Sequence, residues 1–207
     1  MPIVFASNNN NKLQEIAALL RPKNITLLTP KIPEIPETGL TFVENAILKA
    51  RNACQHTNMP ALADDSGLEV DALAKKPGIY SARYAGKNAT AATNIAKLLQ
   101  ELQDIPKTQR TARFQCIMVF LKSAIDSTPV ICQGTWEGAI TFTPQGNNGF
   151  GYDPVFWVPT YQCTAAQLAP DLKNQLSART QALQQITCYI SKYVRQEKLA
   201  FAIRCKS

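Results

Sequence analysis

Three polar clusters in this chain carry residue types able to handle a charged, phosphate-bearing ligand. The first is Ser7-Asn8-Asn9-Asn10-Asn11-Lys12. It follows a short apolar run, Ile3 to Ala6, and precedes a stretch with Leu13, Ile16, Ala17 and Leu20 on one helical face. A strand feeding a polar loop and then a helix presents backbone N–H groups at a helix N-terminus, a natural phosphate cradle. Lys12 adds a point charge for the outer phosphates. The glycines and the Lys-Ser/Thr pair of a P-loop are absent, and taken alone the segment also fits a solvated turn.

The second cluster is Asp64-Asp65-Ser66-Gly67. Carboxylates bind a hard cation such as magnesium and take a proton from water. On extended chain, neighbouring side chains face opposite ways, so only one of the two aspartates points into a given site. A turn that uses Asp, Ser and Gly for their local hydrogen bonding is the competing reading. The third cluster is Gly146-Asn147-Asn148-Gly149-Phe150-Gly151-Tyr152-Asp153-Pro154. Its glycines permit close backbone approach to a ligand, and its two aromatic rings are able to stack on a base or to tuck into the core of a hairpin loop. Glu44 and Lys49, five apart on one helix, face different ways, and Glu44 also fits the capping box. Lys173 and Arg179 flank the start of the last helix, where they fit either a phosphate or base contact or surface charge.

Other chemistries find little material. One histidine, His56, and no C-x-x-C pair argue against zinc and against serine or cysteine hydrolase triads. Six cysteines, at 54, 116, 132, 163, 188 and 205, form no close pair and read as reduced thiols rather than a disulfide framework.

The elements that position these clusters follow from periodicity. Ile3 to Ala6 reads as a buried strand and the segment after Lys12 as a helix. Pro30 to Gly39 is an irregular, proline-rich connection. Thr41-Phe42-Val43-Glu44 matches a capping box, with Val43, Ile47, Ala50 and Cys54 as the stripe of the helix behind it. Ala61 to Ala63 reads as a short strand that ends in the aspartates, and Ala89 to Leu102 as a helix. Arg113 to Lys122, Val130 to Trp136 and Ala139 to Phe142 read as three strands, and Arg179 to Leu199 as a long helix. Strands interleaved with helices predict an α/β fold, and no linker or repeat divides the 207 residues.

Joint occurrence of these segments carries more than any one alone. Ser7 through Lys12, Glu37-Thr38-Gly39-Leu40-Thr41-Phe42-Val43-Glu44-Asn45-Ala46-Ile47-Leu48-Lys49-Ala50-Arg51, Asp64-Asp65-Ser66-Gly67-Leu68, Pro77-Gly78-Ile79-Tyr80-Ser81-Ala82-Arg83-Tyr84 and Gly149-Phe150-Gly151-Tyr152-Asp153-Pro154 strongly resemble the inosine triphosphate pyrophosphatase family in its bacterial form. Order and spacing fit from residue 3 to about residue 190.

The resemblance implies an elongated α/β fold, a mixed sheet flanked by helices, with two lobes that hold a nucleotide in the cleft between them. It implies one domain over residues 1–197, a tail over 198–207 and assembly as a homodimer. The implied activity is hydrolysis of noncanonical purine nucleoside triphosphates (ITP, dITP, XTP) to monophosphate and pyrophosphate with Mg2+. By position, Ser7, Asn8, Asn9, Asn10, Asn11 and Lys12 hold the triphosphate with help from Lys49. Asp65 is general base and metal ligand, and Ser66 touches substrate. Phe150, Gly151, Tyr152 and Asp153, with Lys173 and Arg179, hold the base and sugar end.

Three positions depart from the family pattern. Asn11 stands where relatives carry glycine, and asparagine tolerates positive φ better than most residues. Pro36 replaces an acidic metal contact, leaving Glu37 or Glu34 to supply it. Ala178 replaces the histidine of a Ser-His-Arg motif and removes a side-chain donor.

A net charge of +7 favours anionic partners, and a basic nucleic-acid-binding protein is the non-enzymatic alternative. The basic residues are spread along the chain rather than clustered. An N-terminus without a basic start and long apolar stretch, and apolar runs no longer than Cys116 to Leu121, lead to the expectation of a cytoplasmic protein with no membrane partner.

Overall fold

The computed structural model describes residues 2–20 and 25–204, with the side chains of residues 10, 11, 18, 19 and 200–204 outside that description. Seven strands form one mixed sheet: β1 (Ile3–Phe5), β2 (Leu27–Leu28), β3 (Ala61–Val70), β4 (Thr111–Leu121), β5 (Val130–Ile140), β6 (Phe156–Val158) and β7 (Cys163–Thr164), in the order β2-β1-β3-β4-β5-β6-β7. β1 runs parallel to both β2 and β3, with Val4 opposite Leu28 on one side and Ala61 on the other. β6 is antiparallel to β5 and to β7. Among the described residues five α-helices accompany the sheet: α1 (Asn10–Leu20), α2 (Phe42–Thr57), α3 (Ala91–Glu101), α4 (Pro170–Leu176) and α5 (Ala178–Arg204).

The chain divides into two compact units. The first takes residues 1–65, 117–133 and 180–207, and the second takes 66–116 and 134–179. The first unit is built on α2. Ala46, Ala50, Ala53 and Cys54 are buried there against Val4, Ala61, Ala63, Ile117, Val119 and Leu121. The buried stripe is thus rotated from the one expected, with Val43 and Ile47 only half-buried at its edge. Small side chains let the helix approach the strands closely. The helix starts where expected: Thr41 Oγ1 accepts from Glu44 N, and the Glu44 carboxylate accepts from Thr41 N, a complete capping box.

Two strand readings are corrected. β3 does not stop at Ala63 but continues through Asp64-Asp65-Ser66-Gly67 to Val70. It is buried on both faces from Ala61 to Asp65, so burial overrides the turn composition of the motif. β5 is one strand from Val130 to Ile140, where two were expected with a break near Gly138. In the second unit a Cβ at Gly138 would lie 2.5 Å from the Trp157 carbonyl oxygen and 2.6 Å from the Phe156 ring. The glycine is a packing requirement of β6 rather than a turn signal. Phe156 itself sits in a cluster with Phe114 and Trp136, at ring-centroid separations of 4.5 and 5.2 Å. β2, β6, β7 and α4 were not expected, and α5 runs on to Arg204, into the segment read as a tail.

Gly138→Ala is expected to cost about 1–3 kcal/mol of stability, the usual range for overpacking a filled core. The check is a lower urea midpoint at unchanged slope; an unchanged midpoint would mean that β6 yields to the methyl group freely.

Candidate active site

In the first unit, two adjacent aspartates on β3 are each held by a different lysine. Asp64 is 1% exposed and its Oδ2 lies 2.9 Å from Lys12 Nζ. Asp65 is 6% exposed and its Oδ1 lies 2.7 Å from Lys49 Nζ. Strand alternation sends consecutive side chains to opposite faces, so one lysine cannot serve both. Lys12 comes from the first turn of α1. Asn9 caps that turn, accepting from Lys12 N through its side chain at 3.3 Å and from Leu13 N through its carbonyl at 3.0 Å. The loop therefore ends three residues earlier than its composition implied. Asn11 falls inside α1, where no left-handed conformation is needed. Ser7 Oγ accepts from Asn9 N at 3.2 Å, which closes the remaining loop. The side chains of Asn10 and Asn11 lie outside the described residues, as does Cys205.

Lys49 reaches Asp65 because of what precedes it. Asn45 lies one helical turn earlier, is fully buried, and accepts from Gly39 N at 2.9 Å. Its amide nitrogen stands 3.5 Å from Asp65 Oδ2, a long contact. A Cβ at Gly39 would meet Glu44 Cβ at 2.6 Å, so only glycine lets the connection press onto α2. That contact sets Glu37 beside the helix, where its Oε1 accepts from Lys49 Nζ at 3.0 Å. Glu34 goes elsewhere, to Asn8 Nδ2 at 3.0 Å. Of the two candidates for the acidic contact missing at Pro36, Glu37 is the one that shares Lys49 with Asp65.

Electrostatics follow the geometry. Burial pushes the Asp65 carboxyl above the ordinary aspartate range; Lys49 pulls against it, Glu37 adds to the rise and Lys12 opposes it. Burial acts to lower the Lys49 ammonium, but Asp65, Asp64 and Glu37 outweigh it and hold that group above its usual value. Glu37 and Asp65 offer hard oxygen donors that meet on the same ammonium, Lys49 Nζ, at 3.0 and 2.7 Å. This is a donor set suited to magnesium, which is commonly bound through one or two carboxylates plus water and substrate phosphate. No group of three or more His, Cys, Asp or Glu able to hold a metal occurs among the described residues.

The second unit holds the other cluster. Asp153, 3% exposed, accepts from Lys173 Nζ and from Phe150 N, both at 2.8 Å on Oδ2. Lys173 Nζ also sits 4.5 Å from the Phe150 ring centre, and Arg179 Cζ lies 5.9 Å from it. Arg179 Nη2 donates to Ser66 Oγ at 3.0 Å. Lys173 belongs to the short helix α4 and Arg179 to the first turn of α5, with the extended Ser177 between them. Of the two aromatic rings in the loop, Tyr152 faces inward, 5% exposed, and donates to the Ser81 carbonyl at 2.9 Å. Phe150 stays half-buried, and Gly151 adopts φ of 62°. Ser81 Oγ also accepts from Leu68 N at 2.8 Å, so the Pro77–Tyr84 stretch braces both β3 and the glycine loop.

Asp64, Asn45 and Ser81 are the residues whose parts sequence reading did not assign. A polar residue next to the apolar stripe of α2 was the available signal for Asn45.

Fold and charged clusters together define a helix-flanked α/β protein suited to an anionic ligand. Residues 3–189 match the model of the Ham1 family. The chain is 52% identical over 187 residues to a Vibrio cholerae protein named dITP/XTP pyrophosphatase, covering 89% of this chain and 94% of that one. It also resembles the solved structure of a HAM1 protein from Coxiella burnetii, with a TM-score of 0.87 and 49% identity over 93% of this chain and 99% of that one. The Staphylococcus aureus Ham1 protein gives a TM-score of 0.83 at 39% identity, over 93% of this chain and all of that one (100%). The chain belongs to the Ham1 family.

Gly149 has φ of 76°, and a Cβ there would lie 2.1 Å from Asp153 Oδ2. Gly149→Ala is expected to lose roughly 1–2 kcal/mol to the left-handed backbone alone and to prise Asp153 from Lys173. Faster acetylation of the Lys173 amine, read by mass spectrometry, is the check. Unchanged labelling would show that the loop absorbs the methyl group.

Proposed function

We propose that this chain hydrolyses noncanonical purine nucleoside triphosphates, of the ITP, dITP and XTP type, to the monophosphate and pyrophosphate. The observation that carries the reading is the pair of acid–lysine contacts on consecutive residues of β3, in a member of a family whose curated relatives are named dITP/XTP pyrophosphatase. Lys12 and the Ser7–Lys12 backbone take the outer phosphates, and Lys49 neutralises charge beside them. Asp65, kept basic by burial, accepts the proton of the attacking water as the bond between the α- and β-phosphates breaks. Glu37 and Asp65 hold the metal, magnesium on the chemistry of the donors. When bound, that ion supplies charge neutralisation on the phosphates. Phe150 stacks on the base, while Arg179, Ser66 and Lys173 with Asp153 read the base and sugar end.

The protein acts as a homodimer in the cytoplasm, without nucleic-acid or membrane partners. The five described cysteines are all free, which supports a reducing compartment. No helix among the described residues is long and apolar enough to cross a membrane.

Asp65→Asn is expected to reduce turnover by at least the 10²–10⁴-fold typical of losing a general base, roughly, with the fold intact. Pyrophosphate release from ITP, XTP, dUTP, GTP and ATP, with and without chelator, measures it. Activity within threefold of the parent would remove Asp65 from the mechanism, and a preference for ATP would overturn the substrate class.

Ala178 favours a second reading, the same chemistry with a shifted base preference. It is 4% exposed, next to Arg179 at the start of α5, and carries no donor. A 6-oxo purine presents an acceptor where adenine presents a donor, and sites that pair such groups discriminate by about 10⁴–10⁵. Ala178→His is expected to widen the kcat/KM ratio of ITP over ATP. An unchanged ratio would mean that position 178 does not read the base.

A further inference from the structure

Lys49 stands where two negative groups converge. Its ammonium donates at 2.7 Å to Asp65 Oδ1 and at 3.0 Å to Glu37 Oε1. Glu37 lies on an irregular connection and Asp65 on β3, so no secondary-structure element holds the two carboxylates in register. Like charges this close repel, and the shared lysine is the group that offsets them. Its side chain is 19% exposed, so solvent reaches part of it. Lysine is a compact point charge on a flexible stem, which turns between partners at little geometric cost.

We propose that Lys49 is the resident counterion of the metal site: it holds Glu37 and Asp65 together when no divalent ion is bound, and must be displaced from Asp65 when one arrives. This rests on the reading that Glu37 and Asp65 are the metal ligands. Competition for the same carboxylate oxygens makes the free ion bind weakly. A triphosphate changes the balance, because its phosphates give the displaced ammonium a new anion to pair with. Ion and nucleotide then favour one another's binding, a reciprocal coupling in the thermodynamic sense. The ion therefore enters together with its nucleotide rather than ahead of it.

The test is Mn2+ binding without nucleotide, followed by the electron paramagnetic resonance signal of the free ion. Lys49→Met is expected to bind Mn2+ roughly tenfold more tightly than the parent, within the usual range of site-to-site couplings. Lys49→Arg, which keeps the positive charge, stays near the parent. The Mn2+-induced rise in Tm is expected to be larger in Lys49→Met than in the parent, because only the variant starts with the two carboxylates uncompensated. Where the methionine variant does not fold, Lys49→Gln carries the same expectation. Equal or weaker Mn2+ affinity in the neutral variant, with Asp65→Asn still weakening binding in the parent, overturns the counterion role and leaves the metal site standing. If Asp65→Asn changes Mn2+ affinity in neither background, the ion is not at Asp65, and the metal-site reading falls together with the counterion role.

Discussion

Two carboxylates at adjacent positions of one buried strand set the terms for the first unit. An ion taken out of water costs several kcal/mol unless it is paired and hydrogen-bonded, and Asp64 and Asp65 are 1% and 6% exposed. The pleat of β3 points them in opposite directions, so each needs its own cation from its own side. Lys12 meets that need from the start of α1 and Lys49 from the middle of α2. The rest of the unit is what brings those two lysines to the strand: the Asn9 cap that begins α1, the capping box that begins α2, and the alanine face that seats α2 against the sheet. Removal of either lysine would leave a buried charge without its partner, a loss of about 3–5 kcal/mol in comparable pairs, or drive the aspartate to take up a proton.

The second unit solves the same problem with a loop. Asp153 is as buried as the strand aspartates, and a single lysine and one backbone N–H satisfy the same carboxylate oxygen. Glycine at 149 leaves room for that carboxylate, and Ser81 ties the neighbouring Tyr152 and β3 together from behind. Phe150 is then fixed beside two cations while its own ring remains half-buried.

Features written in local sequence were legible. The capping box at Thr41 and Glu44, β1 and β4 each follow from residues within a few positions of one another. What escaped depends on distant partners. Asp64 to Gly67 has the composition of a turn, and only its place inside the long, buried β3 makes it strand. Gly138 resembles a strand break until Phe156 and Trp157 are seen to occupy the space its side chain would fill. Asn45 is a polar residue at the edge of an apolar stripe, and its two contacts lie in segments 6 and 20 residues away. The candidate residues came from the joint order of motifs, and the contacts then show Glu37 on Lys49, Glu34 on Asn8, and Tyr152 buried where Phe150 is half-buried.

The count of carboxylates bears on how such a site works. Asp64 is committed to Lys12 and Glu34 to Asn8, which leaves Glu37 and Asp65 converging on a single point. Two protein oxygens are too few to enclose a hard cation that prefers six. An ion held there keeps most of its coordination for water and for ligand oxygens. A triphosphate can supply several such oxygens at once, whereas a monophosphate can supply fewer. With so few protein ligands, an ion bound through Glu37 and Asp65 would depend on ligand oxygens to complete its shell. A third buried carboxylate would hold the ion more tightly and leave fewer positions for ligand oxygens.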